Sequence, residues 1–157
     1  MAADPDVRQE DLDLLNSLQS WLSENPEPSL LPLLLGLYGD GDGCGLYAAM
    51  NHLYFAFEPA SLEAPLVDAI TNGPQGGAFW VLQIAANFPS PALVDPIAAS
   101  LGRMDSDGRS SAVAALEAIG TPESMDALRK WRPYETEHDI LALLADLGIA
   151  PYNTSIP

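Results

Sequence analysis

Alanine and leucine recur at helical spacing along almost the whole chain, and no stretch alternates between β-branched and polar residues. The recurrence of alanine and leucine at this spacing is typical of amphipathic α-helices. Half-buried strands would need the alternation that is missing. The sequence therefore predicts an all-α fold of about nine helices. The predicted helices cover residues 8–24, 29–38, 45–57, 61–72, 76–87, 91–103, 108–119, 122–132 and 136–147.

Capping residues and glycines mark the ends of several predicted helices. Ser90-Pro91 and Thr121-Pro122 each place a capping side chain before a proline that fits the first helical position. Glycine often follows the last residue of a helix, because it adopts the left-handed conformation at little cost. The glycines at predicted helix ends are Gly73, Gly120 and Gly148.

A weak internal repeat relates the centre of the chain to the segment that follows it. Residues 77–97 align with residues 108–128 at an offset of 31, with glycine, proline and aspartate in matching places. A period of this length with two helices per unit is typical of an α-solenoid, in which stacked helix pairs share a core. We therefore predict a short α-solenoid of antiparallel helix pairs. Chance similarity between alanine-rich helices is the alternative.

The length of 157 residues and the 48% hydrophobic content fit one domain spanning residues 1–157. We expect residues 1–7 to fray and residues 149–157 to form a C-terminal tail. No apolar run is long enough for a membrane span, and the N-terminus lacks the pattern of a signal peptide. The single cysteine, Cys44, cannot form an intrachain disulfide. Together these features predict a cytoplasmic protein.

The strongest global feature is negative charge. Six basic residues face 22 acidic ones, which gives a formal net charge of −16. Residues 1–102 hold thirteen acidic residues and one basic residue, Arg8, so the charge lies mainly in the first two thirds of the chain. Such a surface repels nucleic acid and anionic membranes and attracts a basic partner. A role in solubility alone is the other interpretation.

The sequence YGDGDGCGLY at residues 38–47 places two aspartates at the spacing of calcium ligands. In a twelve-residue calcium loop that starts at Asp40, position five would be Cys44 and position twelve would be Asn51. A calcium loop needs an oxygen ligand at position five and a bidentate glutamate at position twelve. We therefore predict a tight glycine-rich connection without a metal, in which Asp40 or Asp42 caps the next helix.

The helix predicted at residues 45–57 carries two stripes. The apolar stripe should face the core, and it consists of Leu46, Ala49, Met50, Leu53 and Phe57. The second stripe contains tyrosine, which combines rigid contact area with a hydroxyl and is enriched at protein interfaces. We predict that this stripe and the nearby acidic residues form a docking face for a basic protein. The predicted partner-binding residues are Asp40, Asp42, Tyr47, Asn51, Tyr54, Glu58, Glu63 and Asp68. Packing of the tyrosines under a neighbouring helix is the alternative.

Motifs for catalysis or cofactor binding are not found in the sequence. His52 and His138 do not have the spacing of metal ligands, and one cysteine makes a structural zinc site improbable. The chain has neither a phosphate-binding loop nor a nucleophile elbow. We therefore predict no enzymatic activity and no cofactor. The tryptophans are expected to be core anchors, and they are Trp21, Trp80 and Trp131.

Two segments, NHLYFAFEPAS (51–61) and GAFWVLQIAANFPSP (77–91), carry a family resemblance. A histidine helix ending in glutamate precedes a tryptophan helix ending in asparagine, and a HEAT-like repeat follows at residues 105–128. This order resembles the helical immunity proteins of bacterial polymorphic toxin systems, in particular the immunity protein 30 group. His52, Glu58 and Asn87 fit the pattern, whereas the charged position expected beside the asparagine is apolar here.

The resemblance implies a small cytoplasmic antitoxin that neutralises a cognate toxin by binding it. We expect the chain to be a monomer or a weak homodimer. Such toxins are often basic nucleases, which agrees with the acidity of this chain. A HEAT-like adaptor with a different protein partner is the alternative function. A HEAT-like lyase that attaches or detaches a cofactor is a third and weaker one.

The absence of suitable calcium ligands in the 38–47 loop gives a first prediction. Millimolar calcium should change the thermal midpoint no more than magnesium does, because a ligand that binds only the folded state must raise apparent stability. Thermal unfolding in matched chloride solutions measures this. A rise that is selective for calcium would show that Asp40 and Asp42 do bind the ion.

Overall fold

The computed structural model describes residues 8–149, and every regular element in that range is helical. The all-α prediction is confirmed, with nine α-helices in the described residues. They are α1 (Gln9–Glu24), α2 (Leu31–Leu35), α3 (Leu46–Met50), α4 (Pro59–Asn72), α5 (Ala78–Asn87), α6 (Val94–Ser100), α7 (Ser106–Ile119), α8 (Pro122–Trp131) and α9 (His138–Asp146). The segment predicted to fray, residues 1–7, lies outside the described range.

The predicted caps are present at the start of the 91–103 segment and of α8. The Ser90 hydroxyl accepts a hydrogen bond from the backbone N–H of Ala92 at 3.3 Å, before a single 3-10 turn and α6. The Thr121 hydroxyl accepts from the backbone N–H of Ser124 at 3.2 Å. Gly120 ends α7 with a φ of 64°, as its position in the sequence predicts. These local signals therefore set the boundaries of the second half of the fold.

The end of α9 differs from the tail expected at residues 149–157. Gly148 has a φ of 75°, and its N–H donates to the Ala145 carbonyl at 2.9 Å. The N–H of Ile149 reaches back to the Leu144 carbonyl, also at 2.9 Å, which completes a Schellman cap. Because the cap turns the chain inward, the Ile149 side chain is buried in the core. The tail therefore cannot begin before residue 150, and residues 150–157 lie outside the described range.

The helices pack in two rows. In one row α4 lies between α2 and α6, and α6 also packs against α8. In the other row α7 lies between α5 and α9, and the 51–56 segment packs against α1 and α5. The helices matched by the internal repeat, α5 with α7 and α6 with α8, are thus neighbours in the same row. The α-solenoid itself stays a prediction.

A single core of leucine, isoleucine and other apolar side chains runs between the rows. Only Leu22 of α1 is fully buried, so this helix covers the core with one narrow edge. The tryptophan prediction is wrong for Trp21, which is 46% exposed on α1. Trp80 and Trp131 are half-buried and pack against the core. The largest fully buried side chains include Tyr38, Tyr54, Leu62, Leu66, Leu82, Ile84, Ile97 and Leu101.

The predicted helix at 45–57 is not one α-helix. It consists of a 3-10 turn at Gly43–Gly45, the short helix α3 and a 3-10 segment at Asn51–Ala56. The apolar stripe of this region faces inward as predicted, with Met50, Leu53 and Phe57 buried. A 3-10 helix has three residues per turn instead of 3.6, so side chains three residues apart lie on the same side of the 51–56 segment.

An ion pair between the partly exposed Arg109 and the buried Glu135 joins α7 to the connection between α8 and α9. The Arg109 guanidinium binds the Glu135 carboxylate through two parallel hydrogen bonds of 2.9 and 3.1 Å. The carboxylate also accepts the Trp131 indole N–H and the backbone N–H groups of Thr136 and Glu137. Burial alone would raise the pKa of Glu135, but these hydrogen bonds outweigh it and lower the pKa to about 2.

The Glu135 network makes stability depend on pH in a defined window. Because the folded-state pKa lies below the usual 4.5, the charged pair stabilises the protein above that pH, and the contribution is lost as pH falls toward 2. Glu135→Gln should lower the free energy of unfolding by about 3 kcal/mol at neutral pH. Urea titrations at several pH values should show this difference shrinking between pH 4.5 and 2.

The matched control is Glu117→Gln, which removes an exposed carboxylate from α7. Its stability should follow the wild-type pH profile to within about 0.5 kcal/mol. If Glu135→Gln also keeps the wild-type profile, the ion pair does not hold the two segments together.

Candidate protein-binding cleft

The glycine-rich loop at residues 39–45 connects α2 to α3 and is held by two aromatic side chains. Gly41, Gly43 and Gly45 have φ values of 79°, 58° and 83°, which a residue with a Cβ rarely adopts. The indole N–H of Trp80 donates to the Gly41 carbonyl at 2.8 Å. The Gly39 N–H donates to the Tyr47 hydroxyl at 3.1 Å. The loop is therefore a tight connection with a fixed course, as the glycine spacing predicts.

A cluster of aromatic rings supports this loop from below. Tyr38 stacks on Trp80 with the ring centroids 6.3 Å apart and the planes 14° from parallel. Tyr47 meets both rings edge-on, at 5.2 Å from Tyr38 and 5.8 Å from Trp80. The Tyr38 hydroxyl donates to the Asn51 side-chain oxygen at 2.8 Å, and burial raises the pKa of Tyr38 to about 12. Tyr47 and Asn51 are thus half-buried members of the loop support.

Tyr54 corrects the prediction that the tyrosine stripe is a docking face. Its side chain is fully buried, and its hydroxyl makes no hydrogen bond to any described residue. Burial, reinforced by the neighbouring Tyr38 hydroxyl, raises the pKa of Tyr54. Tyr54 directly follows the buried Leu53 and lies four residues after the buried Met50, a spacing that puts side chains on one helix face. For Tyr54 the alternative interpretation, packing inside the protein, is the correct one.

The connection between α4 and α5 presses closely on the loop. A Cβ built on Gly76 would lie 1.7 Å from a carboxylate oxygen of Asp40, and one on Gly77 would lie 2.7 Å from the Tyr38 carbonyl oxygen. Glycine is therefore required at these two positions by close approach, without a positive φ. The contact places the Asp40 carboxylate against the start of α5 and brings the loop to the edge of a surface cleft.

The acidic cleft lies where this loop, the start of α5 and the start of α7 meet. It has a volume of about 310 Å³ and is lined by Gly41, Asp42, Gly76, Phe79, Trp80, Asp105 and Asp107. Every charged side chain in this lining is a carboxylate. Phe79 and Trp80 form its apolar wall, edge to face with centroids 4.9 Å apart. Asp105 is held in place because its carboxylate caps α7, accepting the Gly108 N–H at 2.8 Å.

These groups together suit a positively charged side chain. An aromatic face attracts lysine or arginine within about 6 Å, and the attraction grows when water is excluded. Carboxylates on the facing wall can accept charge-assisted hydrogen bonds from the same group. The cleft therefore combines an apolar contact for the stem of the side chain with negative charge for its head.

The other predicted site residues lie away from the acidic cleft. Glu63 accepts a hydrogen bond from the Ser90 hydroxyl beside a second groove, and Glu58 is exposed immediately before α4. Asp68 accepts from the Asn72 amide at 2.7 Å and borders a small groove next to α2. The predicted docking face is thus divided between separate surfaces.

Sequence reasoning missed Phe79, Trp80, Asp105 and Asp107 as members of one site. The acidic turn before α7 is visible in the sequence as Asp105-Ser-Asp107. No periodic signal reveals that residues 41 and 80 are joined across 39 positions by a hydrogen bond. The site is assembled by tertiary packing, which spacing along the chain does not encode.

Comparison with known proteins does not assign this cleft. No protein-family model, curated protein or solved structure matches the chain. Among residues 8–149, no helix combines the length and apolar character that crossing a bilayer requires. The same range contains no group of three or more histidine, cysteine, aspartate or glutamate side chains that could hold a metal ion. The assignment therefore depends on the geometry and charge of the cleft.

The buried Tyr54 gives a stability prediction that separates ring from hydroxyl. Tyr54→Phe should leave the free energy of unfolding unchanged or raise it by up to about 1 kcal/mol, because it removes an unpartnered buried hydroxyl. Tyr54→Ala should lower it by about 3–5 kcal/mol through the cavity that it creates. Denaturant unfolding of both variants is the measurement. A destabilising Tyr54→Phe would mean that the hydroxyl has a partner.

The close approach at Gly77 gives a second prediction. Gly77→Ala should lower the free energy of unfolding by about 1–3 kcal/mol, since its Cβ would overlap the Tyr38 carbonyl. The control is Gly102→Ala, where the nearest atom to the new Cβ is 3.9 Å away. Thermal unfolding of the two variants is compared with the wild type. Equal stability of Gly77→Ala and the control would show that the Tyr38 backbone does not press on Gly77.

Proposed function

We propose that this chain is a non-enzymatic binding protein that captures a basic protein through the acidic cleft and blocks its action, as an immunity protein does with its toxin. The observation that carries the proposal is that Asp42, Asp105 and Asp107 line one cleft together with the half-buried Phe79 and Trp80. In this proposal the protein acts in the cytoplasm of the cell that makes the toxin.

The charge distribution supports a basic partner in particular. A net charge of −16 produces a field that speeds the approach of a positively charged protein and slows that of nucleic acid. The cleft belongs to the first two thirds of the chain through its loop and α5, and α7 adds two carboxylates. Long-range attraction and the local site therefore favour the same class of partner.

A nuclease toxin is the partner class that fits best. A protein that binds nucleic acid needs lysine and arginine to contact phosphate groups, and these residues form the surface that an inhibitor must cover. The acidic cleft offers carboxylates in place of phosphates and aromatic rings in place of bases. The resemblance of residues 51–61 and 77–91 to immunity proteins supports the same proposal independently.

Neutralising the cleft should slow association with the basic partner. The triple variant Asp42→Asn, Asp105→Asn, Asp107→Asn keeps an α7 cap, since asparagine also accepts from the Gly108 N–H. With the partner recovered by capture from the native host, we expect the association rate at low salt to fall about tenfold or more. Raising the salt concentration should reduce the association rate of the wild type and bring it closer to that of the triple variant. Stopped-flow or surface binding kinetics give these rates.

The matched control removes the same number of charges elsewhere, through Asp95→Asn, Glu117→Gln and Asp146→Asn. It should slow association only about twofold, since these residues contribute to the field without lining the cleft. Equal slowing by both triple variants would show that net charge alone governs encounter and that the cleft is not the site.

The antitoxin and adaptor functions differ in what the captured partner does to a cell. If the partner kills the host when it is expressed alone, and co-expression of wild-type protein restores growth, the chain is an antitoxin. The cleft variant should then protect less well than the control variant. A partner that is harmless when expressed alone would refute the antitoxin proposal and favour the adaptor.

A further inference from the structure

A second groove lies at the opposite end of α5 from the acidic cleft. We name it the aromatic groove; its volume is about 450 Å³, and it is lined by Pro59, Ala60, Glu63, Asn87, Phe88, Pro89, Ser90 and Pro91. The three prolines, the alanine and Phe88 make most of its walls apolar. None of these residues lines the acidic cleft.

Phe55 extends the apolar surface beyond the groove. Its side chain is 58% exposed, and its ring meets that of Phe88 at a centroid distance of 5.0 Å. The 3-10 winding of residues 51–56 places His52 and Phe55 on the same outward side, three residues apart, and their rings lie 6.4 Å from each other. Exposed aromatic surface that continues into a groove is typical of an interaction site.

The charge around the aromatic groove is negative. Glu63 lies in its wall, where the Ser90 hydroxyl hydrogen-bonds and orients the carboxylate. Glu58 is exposed next to Pro59, which also lines the groove. The sequence has no lysine or arginine between Arg8 and Arg103, so the elements that form this groove carry no strongly basic residue. An occupant must therefore bring apolar surface and positive charge together.

We propose that the aromatic groove receives a basic amphipathic helix of the partner, with apolar side chains against Phe55 and Phe88 and lysine or arginine facing Glu58 and Glu63. This inference rests on the proposed function, because it assigns a second contact to the same basic partner. The ten residues of α5 span about 15 Å, so one protein of ordinary size can reach both ends. The groove supplies apolar burial, which the acidic cleft offers in smaller measure.

The test uses the isotope-labelled full chain and three synthetic peptides of about 18 residues, long enough to form a helix. The first peptide has leucine along one face of the helix and lysine along the other. The second peptide has serine in place of every leucine. The third peptide has glutamate in place of every lysine. We expect saturable chemical-shift changes of the Phe55 and Phe88 resonances with the lysine–leucine peptide and with neither of the other two. The lysine–serine peptide should shift only residues of the acidic cleft, such as Phe79 and Trp80.

A surface variant gives the quantitative arm of the same test. Phe55→Ser should weaken binding of the lysine–leucine peptide about tenfold or more, as expected for loss of an aromatic anchor. The control is Leu33→Ser on α2, which removes a side chain that is 64% exposed at another place. It should leave the affinity within about twofold of the wild type. Equal affinities of Phe55→Ser and the control would overturn the inference.

The remaining outcomes separate this inference from the proposed function. Equal chemical-shift changes with the glutamate–leucine peptide would refute the requirement for positive charge. Chemical-shift changes at Phe55 and Phe88 that depend on protein concentration without any peptide would show that a second copy of the chain occupies the groove. If the groove does not respond while the acidic cleft still binds the lysine–serine peptide, this inference fails and the proposed function stands. If neither site responds to any lysine peptide and no basic partner is captured, both fail.

Discussion

The hydrogen bond from the Trp80 indole to the Gly41 carbonyl fixes the part of the structure on which the acidic cleft depends. It ties a loop with three left-handed glycines to the first turn of α5, and the rings of Tyr38 and Tyr47 fill the space beneath. Asp42 follows Gly41 in this loop and lines the acidic cleft together with Asp105 and Asp107. A flexible acidic loop would still attract a basic protein, but it would offer no shaped site.

The two rows of helices explain why one short helix carries two candidate surfaces. Helix α5 lies between the 51–56 segment and α7, and most of its middle turns are buried. At its start, Phe79 and Trp80 meet carboxylates from two other elements. At its end, Phe88 meets Phe55 and the prolines that flank α4 and α6. The length of α5 therefore sets the separation of the two surfaces.

Local signals in the sequence predict the helices well, because each depends on neighbours within one or two turns. The caps at Ser90 and Thr121, the stop at Gly120 and the inward face of Met50 and Leu53 all belong to this class. The prediction of an outward-facing tyrosine stripe fails at Tyr54, which is buried beside Leu53 and lies four residues after the buried Met50. Prediction from the sequence also fails where distant segments line one cavity, as those of Asp42 and Asp107 do, because no spacing in the sequence records that they share it. The acidic composition correctly points to a charged surface, but only the fold determines which carboxylates share it.

Hydrogen–deuterium exchange on the complex with the captured basic partner tests the central claim most directly. The exchange rate of each backbone amide reports whether its segment is covered or stabilised on binding. If the acidic cleft is the docking site, the amides of residues 40–43, 76–80 and 104–108 should exchange more slowly in the complex than in the free protein. Protection confined to the other row of helices, at residues 91–103 and 122–132, with unchanged exchange around the cleft, would contradict the account.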